Sequence, residues 1–400
     1  MLKLRRATVV GADHAPGSEQ SLLVQLADAP GEQRAAIADV GLLGRAQIGD
    51  ELIVNVQARD LGLGSGGFDV VHVNLSRGLT AEDPADAHVM KLNYTSLQHV
   101  VAPVEDERLE LPVERPVAVL ALHGQLAAVA WAFAQAAPGA KLGYVQTAGG
   151  ALPGGHSRAV AELRARGLLA GHLTAGAAFG GEGEAITTAG ALHHGLRALG
   201  WDAAICGPGP GIVGSGSALG HGGMAALDSA HAALALGAPT LLVARMSCGD
   251  ERARHRGLSH HTLTVLDLLL EPVTVALPAG MRSPVGSDLR AGLGAVFAGA
   301  MPGRTVKERP APPLDAERPV TDRPARITRH DWRRARVDLP AYAASGLPAQ
   351  TMGRTIAQDP LFFGASLAGG GALAQMAVQA TEARAASATA QARSGNDEAA

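Results

Sequence analysis

Cysteine is nearly absent from this chain of 400 residues and 40.6 kDa: Cys206 and Cys248 are the two it has, and no C-x-x-C pair occurs. That excludes a disulfide framework and a cysteine-based zinc or redox motif, and both residues read as reduced thiols of a cytoplasmic protein. Aromatic residues are scarce as well, with 6 Phe, 3 Trp and 3 Tyr, too few for the stacking platforms on which single-stranded nucleic acids bind. Neither sign of charge dominates: the net charge is −3, so no global field draws in a polyanion and no nucleic-acid partner is expected. Lysine occurs four times, at 3, 91, 141 and 307, against 30 arginines; with abundant Ala and Gly, this reads as a GC-rich bacterial genome rather than as function. Long apolar runs are missing too. The stretches near 117–134 and 232–244 are broken by His123 and Gln125, and by Gly237 and Pro239, short of the roughly 18–20 residues of a membrane span. Met1–Arg6 leads into an expected strand without the apolar core of a signal peptide, so no membrane partner and a cytoplasmic location are expected.

What is present is a globular composition, 47% hydrophobic and 18% charged, long enough for two or three domains. Residues 1–75 carry short alternating segments, Ala7–Val10, Ser21–Leu26, Glu51–Val56 and Phe68–Val73, punctuated by Pro16-Gly17, Ala29-Pro30-Gly31 and Gly49-Asp50. This predicts a small β-barrel or sandwich, OB-like. The glycine run at 61–67 sits between two of these strands and opens no helix, so it reads as a loop of the β-domain rather than a phosphate loop.

Residues 76–115 form a turn-rich interdomain segment. From 116 to 300 apolar strands alternate with helices: strands at 117–122, 142–146, 168–173, 203–206, 240–244 and 273–277, and helices at 126–136, 157–166, 187–199, 221–236 and 260–270. That rhythm predicts a Rossmann-like parallel α/β domain. Residues 301–345 read as a Pro/Arg-rich linker or wrapping arm; 301–340 holds seven prolines and carries a local charge of +4. A C-terminal helical segment follows at 346–380, then a disordered tail at 381–400.

Two strings carry the chemistry. Gly207, Gly209, Gly211, Gly214 and Gly216 stand in a glycine-rich loop between a strand and a helix, where backbone N–H groups can hold an anion. Gly209, Gly211 and Gly214 satisfy G-x-G-x-x-G, but Pro208 and Pro210 remove donors and Arg245 stands where a dinucleotide site has an acidic residue. Asp250–Thr262 packs Arg254, Arg256, His255, His260 and His261 into thirteen residues after a strand of the same sheet. Arginines there suit carboxylate or phosphate, and the histidines suit acid/base work or metal binding, His255 pairing with His260 or His261 for the latter. The plain alternative is Ser259 as N-cap of a surface helix. His221 can face the same ligand from the end of the glycine loop, and Lys91 and Tyr94 can reach it from the interdomain segment, unless Lys91 is a surface charge.

Several strings in this order, His88–Gln98, Thr147–Pro153, the 207–217 loop, Arg254–Thr262, Thr351–Arg354 and Asp359-Pro360, closely resemble an uncharacterised bacterial family known as a domain of unknown function, over most of residues 1–365. The resemblance implies a bacterial cytoplasmic protein of this layout with no assigned activity. A fainter likeness links Lys91, Tyr94, Thr95 and the 207–211 turn to the proprotein subunit of glycine reductase component B. The self-cleaving cysteine of that subunit has no counterpart, since neither Cys206 nor Cys248 stands in such a string.

The expected function is binding of a small anionic metabolite at the glycine-rich loop and the Arg/His cluster, as an enzyme using His255, His260 or His261 as acid/base. The alternative is a non-catalytic metabolite-sensing or protein-interaction protein. A third reading makes 254–262 a charged interface within a homo-oligomer. No cofactor is named by the sequence.

Overall fold

The computed structural model describes residues 2–62, 67–77, 85–105, 108–281 and 326–397, which fall into two units. The first holds residues 1–103 with 153–158 and 179–181. Its centre is a closed barrel of five strands, β1 Leu4–Ala12, β2 Glu19–Leu26, β3 Gln33–Asp39, β4 Glu51–Asn55 and β5 Asp69–Asn74, in the order β1-β2-β3-β5-β4. All pairings are antiparallel except β3 with β5. Strand alternation builds its core: Gln20, Leu22, Val24 and Leu26 of β2 point inward in turn, with Val9, Leu52, Val54 and Val71 from the other strands. Arg34 is buried between Asp60 and Asp69, at 2.9 and 2.7 Å, so the one interior guanidinium of β3 is neutralised. The strand at 33–39 escapes pattern reading because its inward positions are mostly alanine. A hairpin of β6 Val89–Lys91 and β7 His99–Val101 completes this unit. Most of the glycine run at 61–67 lies outside the described residues.

The second unit is a parallel sheet of eight strands with helices on both faces, consistent with a Rossmann-like arrangement. Its strands are β8 Val117–Val119, β9 Leu142–Thr147, β10 Gly171–Ala175, β11 Gly183–Ala185, β12 Ala203–Pro208, β13 Thr240–Val243, β16 Thr274–Pro278 and β17 Asp331–Ala335, ordered β11-β10-β9-β12-β8-β13-β16-β17. Between β13 and β16 lies a short hairpin, β14 Met246–Ser247 with β15 Gly257–Leu258. A second hairpin, β18 Gln350–Thr351 with β19 Arg354–Thr355, precedes the last helix. Both faces of the sheet are covered, which is why β9 and β12 are buried at every position. Helices Leu126–Ala136, Arg158–Ala165 and Pro360–Asp397 pack on one face, and Thr188–Arg197, Ala225–Ala235 and His260–Leu268 on the other.

The segment read as a linker, 301–345, lies partly outside the described residues. Its described part contains β17, which pairs in register with β16, and the short helix Leu339–Ala344. The segment read as a disordered tail is helical as far as Asp397, continuing the helix that begins at Pro360. Over Pro360–Ser387 this helix has the length and mean hydropathy, 1.5, of a membrane span, yet 83% of its apolar window is buried within the fold. It is a core helix: Phe362, Phe363, Leu367 and Leu373 pack against Leu126, Val129 and Phe133.

Trp201, 1% exposed, lies in a slot lined by three glycines. A Cβ on Gly143 of β9 would stand 1.9 Å from the ring, on Gly195 2.4 Å, and on Gly171 of β10 2.8 Å. Gly143→Ala is therefore expected to destabilise the protein by about 3 kcal/mol, the upper range for overpacking a core, as a lowered midpoint of urea unfolding.

His172 of β10, also buried, stacks on Tyr144 with ring centroids 5.3 Å apart, and its Nε2 has no hydrogen-bond partner. Burial brings its pKa down to about 4. Unfolding restores an ordinary imidazole, so between roughly pH 6.5 and 4 the unfolded chain binds a proton that the native fold refuses. Stability should fall as pH drops through that window, by about 3 kcal/mol from this ring at pH 4. Urea titrations at pH 7 and 4 measure it, and His172→Gln should lose less stability on acidification than the wild type.

Candidate active site

In the larger unit the connection after β8 leaves toward β9 by the helix Leu126–Ala136, and the connection after β13 leaves toward β16 over the opposite face. Neighbouring strands whose connections diverge open a crevice at their carboxyl ends, the usual ligand position of an open α/β sheet. Three segments meet there. Residues 120–125 follow β8; Gln125 is fully buried and its Nε2 donates to the Ala244 carbonyl, 3.1 Å away. Residues 209–224 follow β12, and residues 244–262 follow β13.

The glycine-rich loop does not cradle a helix N-terminus. Gly207 lies inside β12, where a Cβ would stand 2.8 Å from the Cβ of Leu120, and Gly209 is pressed against the Ala151 carbonyl. Gly211 and Gly216 are exposed, and Gly214 forms an antiparallel bridge with His221. The following helix begins only at Ala225 after a 3₁₀ turn at Gly222–Met224, so the G-x-G-x-x-G spacing is not a dinucleotide turn. What the loop does is fold back and deliver His221.

His221 stacks on His261 with ring centroids 3.6 Å apart and planes 10° from parallel. His260 meets both rings edge-on at 5.4 and 4.4 Å, and His255 lies 4.9 Å from His260 and from His261. All four are buried. Ser259 is the N-cap of the helix His260–Leu268: its Oγ accepts from the His261 N–H at 3.2 Å and pairs with His255 Nδ1 at 2.8 Å. The capping reading thus holds for Ser259, but the helix it starts turns its histidines inward. Arg245, the second residue after β13, donates from Nη1 to His261 Nδ1 at 2.8 Å. That fixes Nδ1 as the acceptor and leaves the proton of a neutral ring on Nε2. Nε2 of His260 is buried without a hydrogen bond, and the Ala218 carbonyl beside the buried ring of His221 works against the lowering of its pKa.

Two buried carboxylates organise the cations. Asp250 takes a bidentate pair from Arg252 at 2.9 and 2.8 Å, with Arg354 and Arg245 at 3.5 and 3.7 Å. Burial alone would raise its pKa; the Arg252 pair and the surrounding positive charge hold it well below the usual carboxylate range. Asp359, just ahead of the last helix, accepts from Ser247 Oγ at 2.6 Å, the Cys248 N–H at 2.8 Å, the Gly249 N–H at 3.3 Å and Arg354 Nε at 3.0 Å. Burial and the neighbouring guanidiniums bring Arg245 down to about 10. Burial and the same positive field bring His260 down to about 4 and His255 to about 3, and push His221 and His261 below the ordinary range as well. At neutral pH the site is therefore a set of uncharged imidazoles ringed by guanidiniums.

The structure thus gathers His221, His255, His260, His261 and Arg254, the last half-buried and acting electrostatically on His260. Arg256 is exposed and donates to the Asp250 carbonyl at 2.8 Å. Lys91 and Tyr94 belong to the other unit. Lys91 is buried in β6 rather than a surface charge, and Tyr94 is fully exposed at a φ of 62°. Pattern reading passed over Arg245, Arg354 and Asp359 as site members. Arg245 was visible as an arginine at a strand end, and Asp359 as the residue before a helix-opening proline.

Fold and site together define an α/β protein with a barrel unit and a histidine–arginine cluster at the carboxyl edge of a parallel sheet. The chain belongs to the family described as protein of unknown function (DUF3866), whose model matches residues 35–370. No curated protein and no solved structure matches it, so the likeness to the glycine reductase subunit finds no support there.

Replacing Asp359 by Ala would take from Arg354 one of its two carboxylates and leave three buried donors of 247–249 without their acceptor. A cost of about 3–5 kcal/mol is expected, as for other broken buried charge pairs. Ser247→Ala removes a single donor and should cost about 1 kcal/mol. Chemical denaturation of the two variants side by side measures the difference.

Proposed function

We propose that this protein binds a small anionic molecule, a phosphate ester or a carboxylate, at the carboxyl ends of β8 and β13. The observation that carries this is a cluster of guanidiniums beside neutral imidazoles. Arg245, Arg252 and Arg254 act on the imidazoles and Arg354 stands beside Arg245, while Asp250 and Asp359 are engaged by Arg252, Arg354, the Ser247 hydroxyl and the 248–249 backbone. Guanidiniums suit phosphate and carboxylate geometry, and several of them together favour an anionic guest. Because the imidazoles are held neutral, the guanidiniums supply the attraction. The histidines offer lone pairs, so an acid/base role would begin from the basic form.

Two further readings accompany this one. The barrel is OB-like, supported by its order β1-β2-β3-β5-β4 and the parallel closure of β3 on β5. A bacterial cytoplasmic setting is supported by two unpaired thiols, of which the buried Cys206 has its pKa pushed up to about 12 by burial.

A thermal-shift panel of inorganic phosphate, phosphorylated metabolites and small carboxylic acids tests the assignment. A ligand present at a hundred times its Kd should add about 2.7 kcal/mol of stability. Arg254→Ala is expected to abolish the shift while the melting temperature without ligand changes little. A panel that leaves the melting temperature unmoved sinks the reading and turns the search to protein partners.

A further inference from the structure

We infer that His221, His260 and His261 form a binding site for a borderline divalent transition-metal ion, Zn²⁺ first among them. The proposal deepens the anion reading only in what would sit beside the ion; metal capture itself stands on the histidines alone. Each of the three residues is buried, and their candidate donor atoms all lie within 4.8 Å of one another. An all-imidazole set of three, with a fourth position left for water or an anion, is the donor pattern of zinc sites that keep a coordination place open.

Three details assign the donor atoms. His260 Nε2 is a buried nitrogen with no hydrogen-bond partner. His221 and His261 turn Nδ1 toward one small space, kept open by Gly223: a Cβ there would stand 3.0 Å from His221 Nδ1 and 3.2 Å from His261 Nδ1. The lone pair of His261 Nδ1 already serves a cation, since Arg245 Nη1 donates to it at 2.8 Å. A metal on that lone pair keeps the same tautomer, with the ring proton on Nε2. Arg245 has somewhere to go, because its Nη2 is 3.7 Å from Asp250 Oδ2.

Ligation also requires movement of defined kind. The rings of His221 and His261 lie 3.6 Å apart and nearly parallel, so their in-plane lone pairs do not yet converge. One ring must tilt, and the nitrogens must close to the about 3.3 Å that tetrahedral geometry with bonds of about 2.0–2.1 Å imposes. Such a site would place a Lewis acid, or a bound water made more acidic by it, beside Arg245 and Arg254, where an anionic guest could take the fourth position.

The experiment uses the full-length protein without an affinity tag, stripped of metal and titrated calorimetrically with Zn²⁺, with bound metal counted after gel filtration. One Zn²⁺ per chain is expected. His221→Gln and His260→Gln should each weaken binding by at least about 100-fold, more than the loss of a supporting outer contact costs. Gly223→Ala, which narrows the space while leaving every ligand in place, should weaken it at least about tenfold. His123→Gln, outside the cluster, should bind as the wild type does. Co²⁺ provides a readout that needs no variant: intense visible bands of a four-coordinate ion are expected, and the pale spectrum of a hydrated six-coordinate ion overturns the proposal. So does sub-stoichiometric Zn²⁺, or binding that survives unchanged in the folded His221→Gln and His260→Gln proteins. Phosphate and carboxylate shifts measured on the metal-free protein keep the two readings apart: anion stabilisation without Zn²⁺ binding removes the metal and leaves the anion site standing.

Discussion

Everything at the carboxyl edge of the large sheet depends on two buried carboxylates. Asp250 collects Arg252, Arg354 and Arg245, and Asp359 ties Arg354 to the backbone of 247–249. Without them, several guanidiniums would share a desolvated space with no counter-charge, which no packing gain at that site could offset. With them, the guanidiniums are held in place around the site. On the histidines, burial lowers the pKa most and the nearby guanidiniums lower it further. The uncharged imidazoles are thus a product of burial first, with the arginine scaffold adding to it. Any guest that brings negative charge, or that takes an imidazole lone pair, meets surroundings already arranged for it.

The parallel sheet was legible because its physics is repetitive. Strands buried on both faces are continuous apolar runs, and the crossover helices between them show a different period, so most elements from 117 to 277 could be placed to within a few residues, though not the edge strand β11 or the β14–β15 hairpin. What the pattern hid were elements whose inward positions are small or charged. Strand β3, Gln33–Asp39, reads as loop because alanines and an ion-paired Arg34 take the places of branched side chains. Strand β17, Asp331–Ala335, has arginines where an interior strand would have valine, as befits an edge of the sheet. The helix from Pro360 extends beyond the point where alanine, serine and glutamine suggested disorder.

The candidate site was half legible. Histidines and arginines crowded into Asp250–Thr262 exceed what a connection needs, and the structure buries the three histidines. The glycine-rich loop misled in kind rather than in place. Its spacing suggested a phosphate cradle, whereas its backbone turns back at Gly214 to set His221 beside His261. Partners far away in sequence could not be read at all. Nothing in the residues around Asp359 announces that its carboxylate will be shared by Ser247, Cys248 and Gly249, because that pairing exists only once the sheet has formed.

The position of Asp359 also sets an order of events during synthesis. The donors it satisfies, at 247–249, emerge from the ribosome more than a hundred residues ahead of it, and the helix that covers one face of the sheet begins directly after it. Until that stretch arrives, the loop bearing Arg252, Arg254 and His255 lacks its anchor, and one face of the sheet is only partly covered. A chain interrupted upstream of this point would carry every histidine of the cluster without the carboxylate that anchors 247–249. Completion of the cluster is thereby coupled to near-completion of the polypeptide.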